Sequence, residues 1–84
     1  MAKLLYFARL RETLGVSGEE LELSETVVDV KSLIALLRQR GGAWETELAA
    51  GKIFRIAINQ EMAEPDSAIR NGDEIAIFPP VTGG

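Results

Sequence analysis

The groups that could do chemistry in this chain are concentrated at its end, which closes on Gly83-Gly84. The 84 residues include no Cys and no His, which excludes thiol nucleophiles, disulfides and imidazole acid–base catalysis. From Pro79 onward the only charge is the carboxylate of Gly84, and glycine, lacking Cβ, can enter a channel too narrow for other residues. A carboxyl group at the tip of a thin arm suits a substrate for another protein's active site.

The arm begins at two prolines that follow an apolar strand. Pro79 cannot donate a backbone hydrogen bond, so it ends sheet pairing, and Pro79-Pro80 favours an extended exit. Fully extended, Pro79 to Gly84 would reach roughly 20 Å. The sequence therefore predicts a folded domain over residues 1–78 and a flexible, extended tail over 79–84. Fraying explains many small-residue termini, but it explains poorly a tail of Pro-Pro-Val-Thr-Gly-Gly joined directly to a strand.

The composition of the chain excludes several classes of binding partner. Acidic residues outnumber basic ones 13 to 9, giving a net charge of -4, so nucleic-acid phosphate would be repelled. The apolar run at the N-terminus is too short for a signal peptide or a membrane span, which predicts a cytoplasmic protein. Without Cys or His, a metal site of the usual zinc kind is excluded, and we expect no metal.

Hydrophobic periodicity predicts a mixed α+β domain. A connection is predicted over residues 11–18, after the first strand, and the second strand is expected to pair antiparallel with the first. Strands are predicted over residues 3–10, 19–23, 53–59, 62–63 and 75–78.

The long helix of the domain is predicted to begin at Thr26, which has the N-cap residue type and an acid three positions later. Gly41-Gly42 ends it, and a second, short helix runs from Trp44 to Ala50. A sheet with one apolar face is the natural partner of this helix, so the predicted fold is a β-grasp, or ubiquitin-like, arrangement with about five strands. The apolar stripe of the long helix comprises Val30, Leu33, Ile34 and Leu37.

Strand parity predicts which aromatic side chains stay outside the core. If Tyr6 and Ala8 face the helix, Phe7 faces outward, and Phe78 has the outward parity of the last strand. A β-grasp pairs the first and last strands, which would bring Phe7 and Phe78 together beside the root of the tail, with Met62 bordering them. Such a cluster suggests a protein interface, although a loop could also cover it.

Across its whole length the chain resembles the MoaD type of the MoaD/ThiS ubiquitin-like sulfur carriers, the small subunits of molybdopterin synthases. The resemblance is most specific in the final stretch, and it is weaker in the Asn-Gly-Asp turn before the last strand. It is carried by residues 5–12 (Leu-Tyr-Phe-Ala-Arg-Leu-Arg-Glu), Thr26-Val27, residues 57–60 (Ala-Ile-Asn-Gln) and residues 71–84.

The resemblance implies that Gly84 is the reacting residue. In this family an ATP-dependent, E1-like activating enzyme of the MoeB type adenylates the terminal carboxyl, and sulfur then replaces one oxygen to give a thiocarboxylate. The thiocarboxylate donates sulfur to cyclic pyranopterin monophosphate in a pocket supplied mainly by a large subunit of the MoaE type, within a heterotetramer. Two transfers build the dithiolene of molybdopterin. The chain itself is expected to bind no cofactor, ATP being used by the activating enzyme, and to be a sulfurtransferase only as part of the complex.

The resemblance also implies roles for other residues. The tail, Pro79, Pro80, Val81, Thr82 and Gly83, would lie in the partner's channel, where Gly83 gives clearance to the reacting Gly84. The docking residues would be Phe7, Arg11, Met62 and Phe78.

Three other functions are compatible with the pattern. A thiamin-pathway carrier shares the fold and the Gly-Gly end, but such carriers tend to lack the helix at residues 44–50. A ubiquitin-like modifier would instead join Gly84 to lysines through isopeptide bonds. A plain interaction module would leave the tail without a use.

Overall fold

The computed structural model of the chain describes residues 1–49 and 54–79. Within these ranges one mixed sheet has the strand order β2-β1-β5-β3-β4, where β1 and β5 are parallel and the other neighbours antiparallel. The elements in chain order are β1 (Ala2–Tyr6), α1 (Ala8–Leu14), β2 (Gly18–Leu21), α2 (Val30–Arg38), α3 (Ala43–Glu47), β3 (Arg55–Ile58), β4 (Glu61–Met62) and β5 (Glu74–Phe78).

The core lies between α2 and one face of this sheet. Leu33 and Leu37 from α2 are fully buried, and so are Ile75 and Ile77 from the central strand β5. The predicted stripe of α2 and the predicted pairing of the first and last strands are both confirmed. This is the β-grasp arrangement that the periodicity predicted.

The beginning of the long helix was predicted three residues too early. Asp29, rather than Thr26, is the N-cap: its side chain accepts a hydrogen bond from the backbone N–H of Ser32, and the Ser32 hydroxyl accepts one from the N–H of Asp29. The Thr26 hydroxyl bonds to that of Ser24 instead. The serine at the third helical position completes a capping box, which stabilises the first turn better than a lone cap.

The prediction of a strand over residues 3–10 followed by a connection over 11–18 was wrong. The strand ends at Tyr6, and helix α1 occupies residues 8–14. Ala8 has a left-handed φ of 51°, which turns the chain out of the sheet, so Ala8 is exposed rather than facing the core. Leu10 anchors the helix with 2% exposure, and Gly15, in the left-handed region, ends it.

Several other helix and strand boundaries differ from the predicted ones by a few residues. Strand β2 covers residues 18–21 rather than 19–23, because Leu23 leaves the sheet and donates its N–H to Asn71 Oδ1. The short helix α3 ends at Glu47 and is capped by Leu48, whereas the predicted end at Ala50 lies outside the described residues. Strand β3 begins at Arg55, and residue 53 is likewise outside them.

The tight turn between β3 and β4 is formed by Asn59 and Gln60, both with left-handed φ values of 51° and 71°. Asn59 holds the turn to the sheet: its Oδ1 accepts the N–H of Glu74, and its Nδ2 donates to Asp73 Oδ1, each at 3.0 Å. Asparagine tolerates this conformation, whereas Gln60 has no such local compensation.

We expect Gln60→Gly to raise the free energy of unfolding by about 1 kcal/mol. The substitution removes the steric cost of a left-handed L-residue and creates the Asn-Gly pair that two-residue hairpins favour, which outweighs the added chain entropy of the unfolded state. Urea unfolding measures the effect. Gln39→Gly, at a position with φ of -66°, is the matched control and should not stabilise the protein; equal stabilisation in both would contradict the strain argument.

Candidate functional site

The tail leaves the domain from the middle of the sheet rather than from an edge. The last paired residues of β5 are held on both sides, Ile77 opposite Tyr6 in β1 and Phe78 opposite Arg55 in β3. Pro79 follows, half-buried, and the remaining predicted tail residues, Pro80, Val81, Thr82, Gly83 and Gly84, lie outside the described residues. The root of the tail is therefore fixed by two neighbouring strands.

An aromatic pair lies at this root. The rings of Phe7 and Phe78 are stacked with centroids 4.8 Å apart and planes 10° from parallel. The N–H of Phe7 also donates to the carbonyl of Ile77 at 3.3 Å, which ties the residue after β1 to the end of β5. Phe7 remains 38% exposed. The predicted proximity of the two rings is confirmed, and their role in docking stays a prediction.

The outer face of the sheet carries a row of apolar residues next to this pair. Across four strands the register aligns Met62, Ala57, Ala76 and Leu5 in one row on the face that bears Phe78. The two alanines are small enough to be covered by their neighbours, while Met62 is 63% exposed. We call Leu5, Phe7, Met62 and Phe78, with the alanines between them, the outer patch.

Met62 borders the patch from the side opposite Phe7. It belongs to the edge strand β4, so β3 with Arg55 separates it from Phe78. Met62 was predicted to border the aromatic pair; the register places it on the same face, but at the far margin of the patch with β3 in between.

Arg11 lies on helix α1, although the sequence had placed it in a connection. Phe7 is the N-cap of that helix and Arg11 follows four residues later, so both lie on the same side of the first turn. The Arg11 side chain is exposed. Cations beside apolar patches are common at the rims of protein interfaces, and the docking role of Arg11 stays a prediction.

The structure also contains a polar cluster that the sequence did not predict. Arg40 donates two hydrogen bonds of 2.8 Å to the carboxylate of Glu19, and the Tyr6 hydroxyl donates a third of 2.7 Å. The guanidinium of Arg40 lies 4.4 Å from the ring centre of Trp44, and the Trp44 and Tyr6 rings pack nearly perpendicular to each other. We call these four residues the Tyr6 cluster. It joins β1, β2, the end of α2 and α3.

Proton affinities in the Tyr6 cluster follow from these contacts. The hydrogen bonds from Arg40 lower the pKa of Glu19, and in turn the carboxylate raises the pKa of Arg40. Burial, reinforced by the adjacent carboxylate, raises the pKa of Tyr6. All three groups therefore keep their ordinary charges at neutral pH, so the role of the cluster is to stabilise the packing of the elements that it joins. Nothing in the spacing of residues 6, 19 and 40 could have indicated it.

The described residues offer little for other chemistry. In residues 1–49 and 54–79 no three acidic side chains converge on a point where a metal ion could be held. The helices in the same ranges are too short and too polar for any of them to cross a membrane. The outer patch and the tail that starts beside it are the candidate site for the function considered next.

Comparison with known proteins shows the family to which this chain is similar. The ThiS family profile matches residues 4–84. The molybdopterin synthase sulfur carrier subunit of Haemophilus influenzae is 43% identical over 84 residues, covering all of both chains. A putative molybdopterin converting factor subunit 1 from Pyrococcus furiosus superposes with a TM-score of 0.76 at 31% identity, covering 95% of this chain and 97% of that one. SAMP1 of Haloferax volcanii gives a TM-score of 0.79 at 27% identity, covering 99% and 98%.

Proposed function

This chain belongs to the ThiS family, and from that premise we propose that it is the sulfur carrier subunit of a molybdopterin synthase. The observation that carries the proposal is the placement of the tail: a Gly-Gly end follows the central strand, and the Phe7–Phe78 pair marks its root on an exposed apolar face. An idle terminus needs neither the central strand nor the exposed rings. The full-length identity to a named sulfur carrier subunit supports the same function.

The chemistry of the tail requires activation by another protein. A terminal carboxyl has a reference pKa of about 3.5, so at neutral pH Gly84 is an anion and a poor electrophile. On our proposal an E1-like enzyme of the MoeB type joins the carboxylate to the α-phosphorus of ATP, releasing pyrophosphate. A sulfur nucleophile then displaces AMP to leave a thiocarboxylate on Gly84. This sulfur passes to cyclic pyranopterin monophosphate, and two such transfers form the dithiolene.

The outer patch is the surface that we propose docks the large subunit. Interfaces take much of their affinity from a few buried aromatic residues within an apolar centre. Phe78 is directly followed by the tail, so burying the Phe7–Phe78 pair against a partner would also fix where the tail enters the partner. Arg11 would lie at the rim of this contact, and Met62 at the opposite margin.

The function is tested with thiocarboxylated protein, a large subunit of the MoaE type and cyclic pyranopterin monophosphate. We expect dithiolene product in proportion to the thiocarboxylate supplied, and none from the unmodified carboxylate form. A thiocarboxylated chain that binds the large subunit and yields no product would contradict the proposed acceptor.

Truncation of the aromatic pair should weaken docking. We expect Phe78→Ala to lower the affinity for the large subunit by about thirtyfold, because loss of an interface hot spot costs about 2 kcal/mol or more. Isothermal titration calorimetry measures the dissociation constant. Val28→Ala removes an apolar side chain that is 56% exposed in the loop before α2, away from the patch, and should leave the affinity within about twofold. Equal affinities for both variants would show that the patch is not the interface.

A second function is favoured by the structural likeness to SAMP1, small archaeal modifier protein 1 of Haloferax volcanii. The same activated Gly84 could be captured by a lysine amine, forming an isopeptide bond in place of the thiocarboxylate. Higher-mass conjugates on a denaturing gel, absent when Gly84 is deleted, would establish this use.

A further inference from the structure

A groove on the helix side of the domain is not used by the proposed function. It runs between one face of α2 and the β3–β4 margin of the sheet, with a volume of about 550 Å³. Cavities of this size are in the range that holds small organic ligands. Among the described residues its walls are mainly apolar; they include Val30, Ile34, Ala35, Phe54, Ile56 and Ala63.

Positive charge is concentrated around these apolar walls. Lys31 and Arg38 lie on α2, two turns apart on the same helix face, and Arg55 lies on the opposite wall. Glu64 is the only acidic residue among the described lining residues. The whole chain has a net charge of -4, whereas the described lining has two more cations than anions, so it favours anions more than the average surface does. Lys31 is partly neutralised by Asp29, whose carboxylate lies 3.8 Å from its ammonium, which leaves Arg38 and Arg55 as the main cations.

Arg38 supplies the more specific observation. Its Nε atom is buried and has no hydrogen-bond partner within the described part of the chain. A buried donor without an acceptor costs about 1–3 kcal/mol, and such groups call for an explanation. A guanidinium binds a carboxylate or phosphate through two parallel N–H donors, which makes an oxyanion the partner that its geometry suits.

The segment after β4 bounds one end of the groove. The segment after β4 is tied across the first turn of α2 by two backbone hydrogen bonds, Lys31 N–H to the carbonyl of Pro65 at 2.9 Å and Val30 N–H to that of Ser67 at 3.1 Å. A groove of this volume that is bounded at one end is of a size and shape that a small molecule can fill.

We propose that this groove binds a small organic anion, a carboxylate or phosphate ester on an apolar body. The oxyanion pairs with Arg38, the apolar body lies against Ile34 and Phe54, and Arg55 adds long-range attraction. Arg55 is opposite Phe78 in the sheet, and Met62 belongs both to the groove lining and to the outer patch. An occupant would therefore contact residues next to the docking surface.

The test uses 8-anilinonaphthalene-1-sulfonate, an aromatic anion, as the probe with the full-length protein. We expect saturable binding by fluorescence, with NMR amide shifts centred on Ile34, Ala35 and Ala63. Arg38→Gln should weaken binding about tenfold, since hydrogen bonds to charged groups contribute 1.5–3 kcal/mol. Arg70→Gln removes an exposed arginine outside the groove and should leave binding within about twofold.

A second experiment uses inorganic phosphate, which has the negative charge of the proposed ligand but no apolar body. Phosphate should shift the Arg38 side-chain Nε signal and compete weakly with the dye, because it lacks the apolar body. The proposal is overturned if the dye shifts NMR amide signals mainly at Phe7 and Phe78, or if no saturable binding of the dye is found. It is also overturned if Arg38→Gln and Arg70→Gln bind the dye with equal affinity. None of these outcomes affects sulfur transfer from Gly84, so this proposal and the proposed function fail separately.

Discussion

Removal of Gly84 should abolish sulfur transfer and leave the folded domain intact. Without it the terminal carboxyl is withdrawn by roughly 3.5 Å, the reach of one residue. Misplacement of a reacting group by 1 Å can cost about a hundredfold in rate, so we expect a loss of at least that size. The core residues that the structure identifies lie between Ala2 and Ile77, which leaves the free energy of unfolding unchanged within about 0.5 kcal/mol.

Two measurements separate the chemical effect from a folding effect. Thiocarboxylate yield is followed by intact mass, and stability by urea unfolding of the same preparation. Thr82→Ser keeps the length of the tail and the hydroxyl on Cβ, so it should retain near wild-type yield. A truncated chain that still supports dithiolene synthesis would remove the basis for assigning the chemistry to Gly84.

Replacement of Glu19 by alanine should lower the free energy of unfolding by about 2 kcal/mol. The carboxylate is the acceptor for both Arg40 and Tyr6, and the Tyr6 residue is only 1% exposed. Removing an acceptor leaves a buried hydroxyl donor unpaired, which costs about 1–3 kcal/mol, and charge-assisted bonds add to this. For a domain of this size the melting temperature should fall by about 10 °C. Glu22→Ala, an exposed neighbour, is the control and should have little effect.

The dependence on pH gives a second readout of the same cluster. The pKa of Glu19 is lowered in the folded protein from an ordinary value of 4.5, so its ionised form stabilises the fold above that pH. This stabilisation is lost as the pH falls below 4.5 through the folded-state pKa. Glu19→Gln should therefore flatten the acid side of the stability profile. Asp29, whose pKa is lowered by its hydrogen bonds with Ser32, leaves a residual slope. An unchanged profile would show that the ion pair contributes nothing in solution.

The features that were predicted correctly from sequence depend on short-range periodicity. The stripe of α2 is visible because apolar residues recur at helical spacing, and the burial of Leu33 and Leu37 follows from it. The Phe7–Phe78 pair was predicted from strand parity together with the pairing of first and last strands. Both arguments use only local alternation and one topological assumption.

The features that were missed depend on conformation or on distant partners. Helix α1 was not predicted because residues 3–10 have a strand-forming composition. The strand ends at the left-handed φ of Ala8, and the sequence does not indicate this conformation because it has neither glycine nor asparagine at that position. The Tyr6 cluster joins residues 6, 19, 40 and 44, whose proximity arises only after the sheet and helices have packed. The cap at Asp29 was missed because Thr26 satisfied the same residue preference three positions earlier.

The central claim is that Gly84 carries sulfur, and one mass measurement tests it most directly. The protein is incubated with an E1-like activating enzyme, ATP and a sulfur donor, and its intact mass is recorded before and after. We predict a gain that corresponds to exchange of one oxygen for one sulfur, mapped to Gly84 by fragmentation. An unchanged mass, with an enzyme shown to be active on a known carrier and with an intact Gly84 terminus, would contradict the claim.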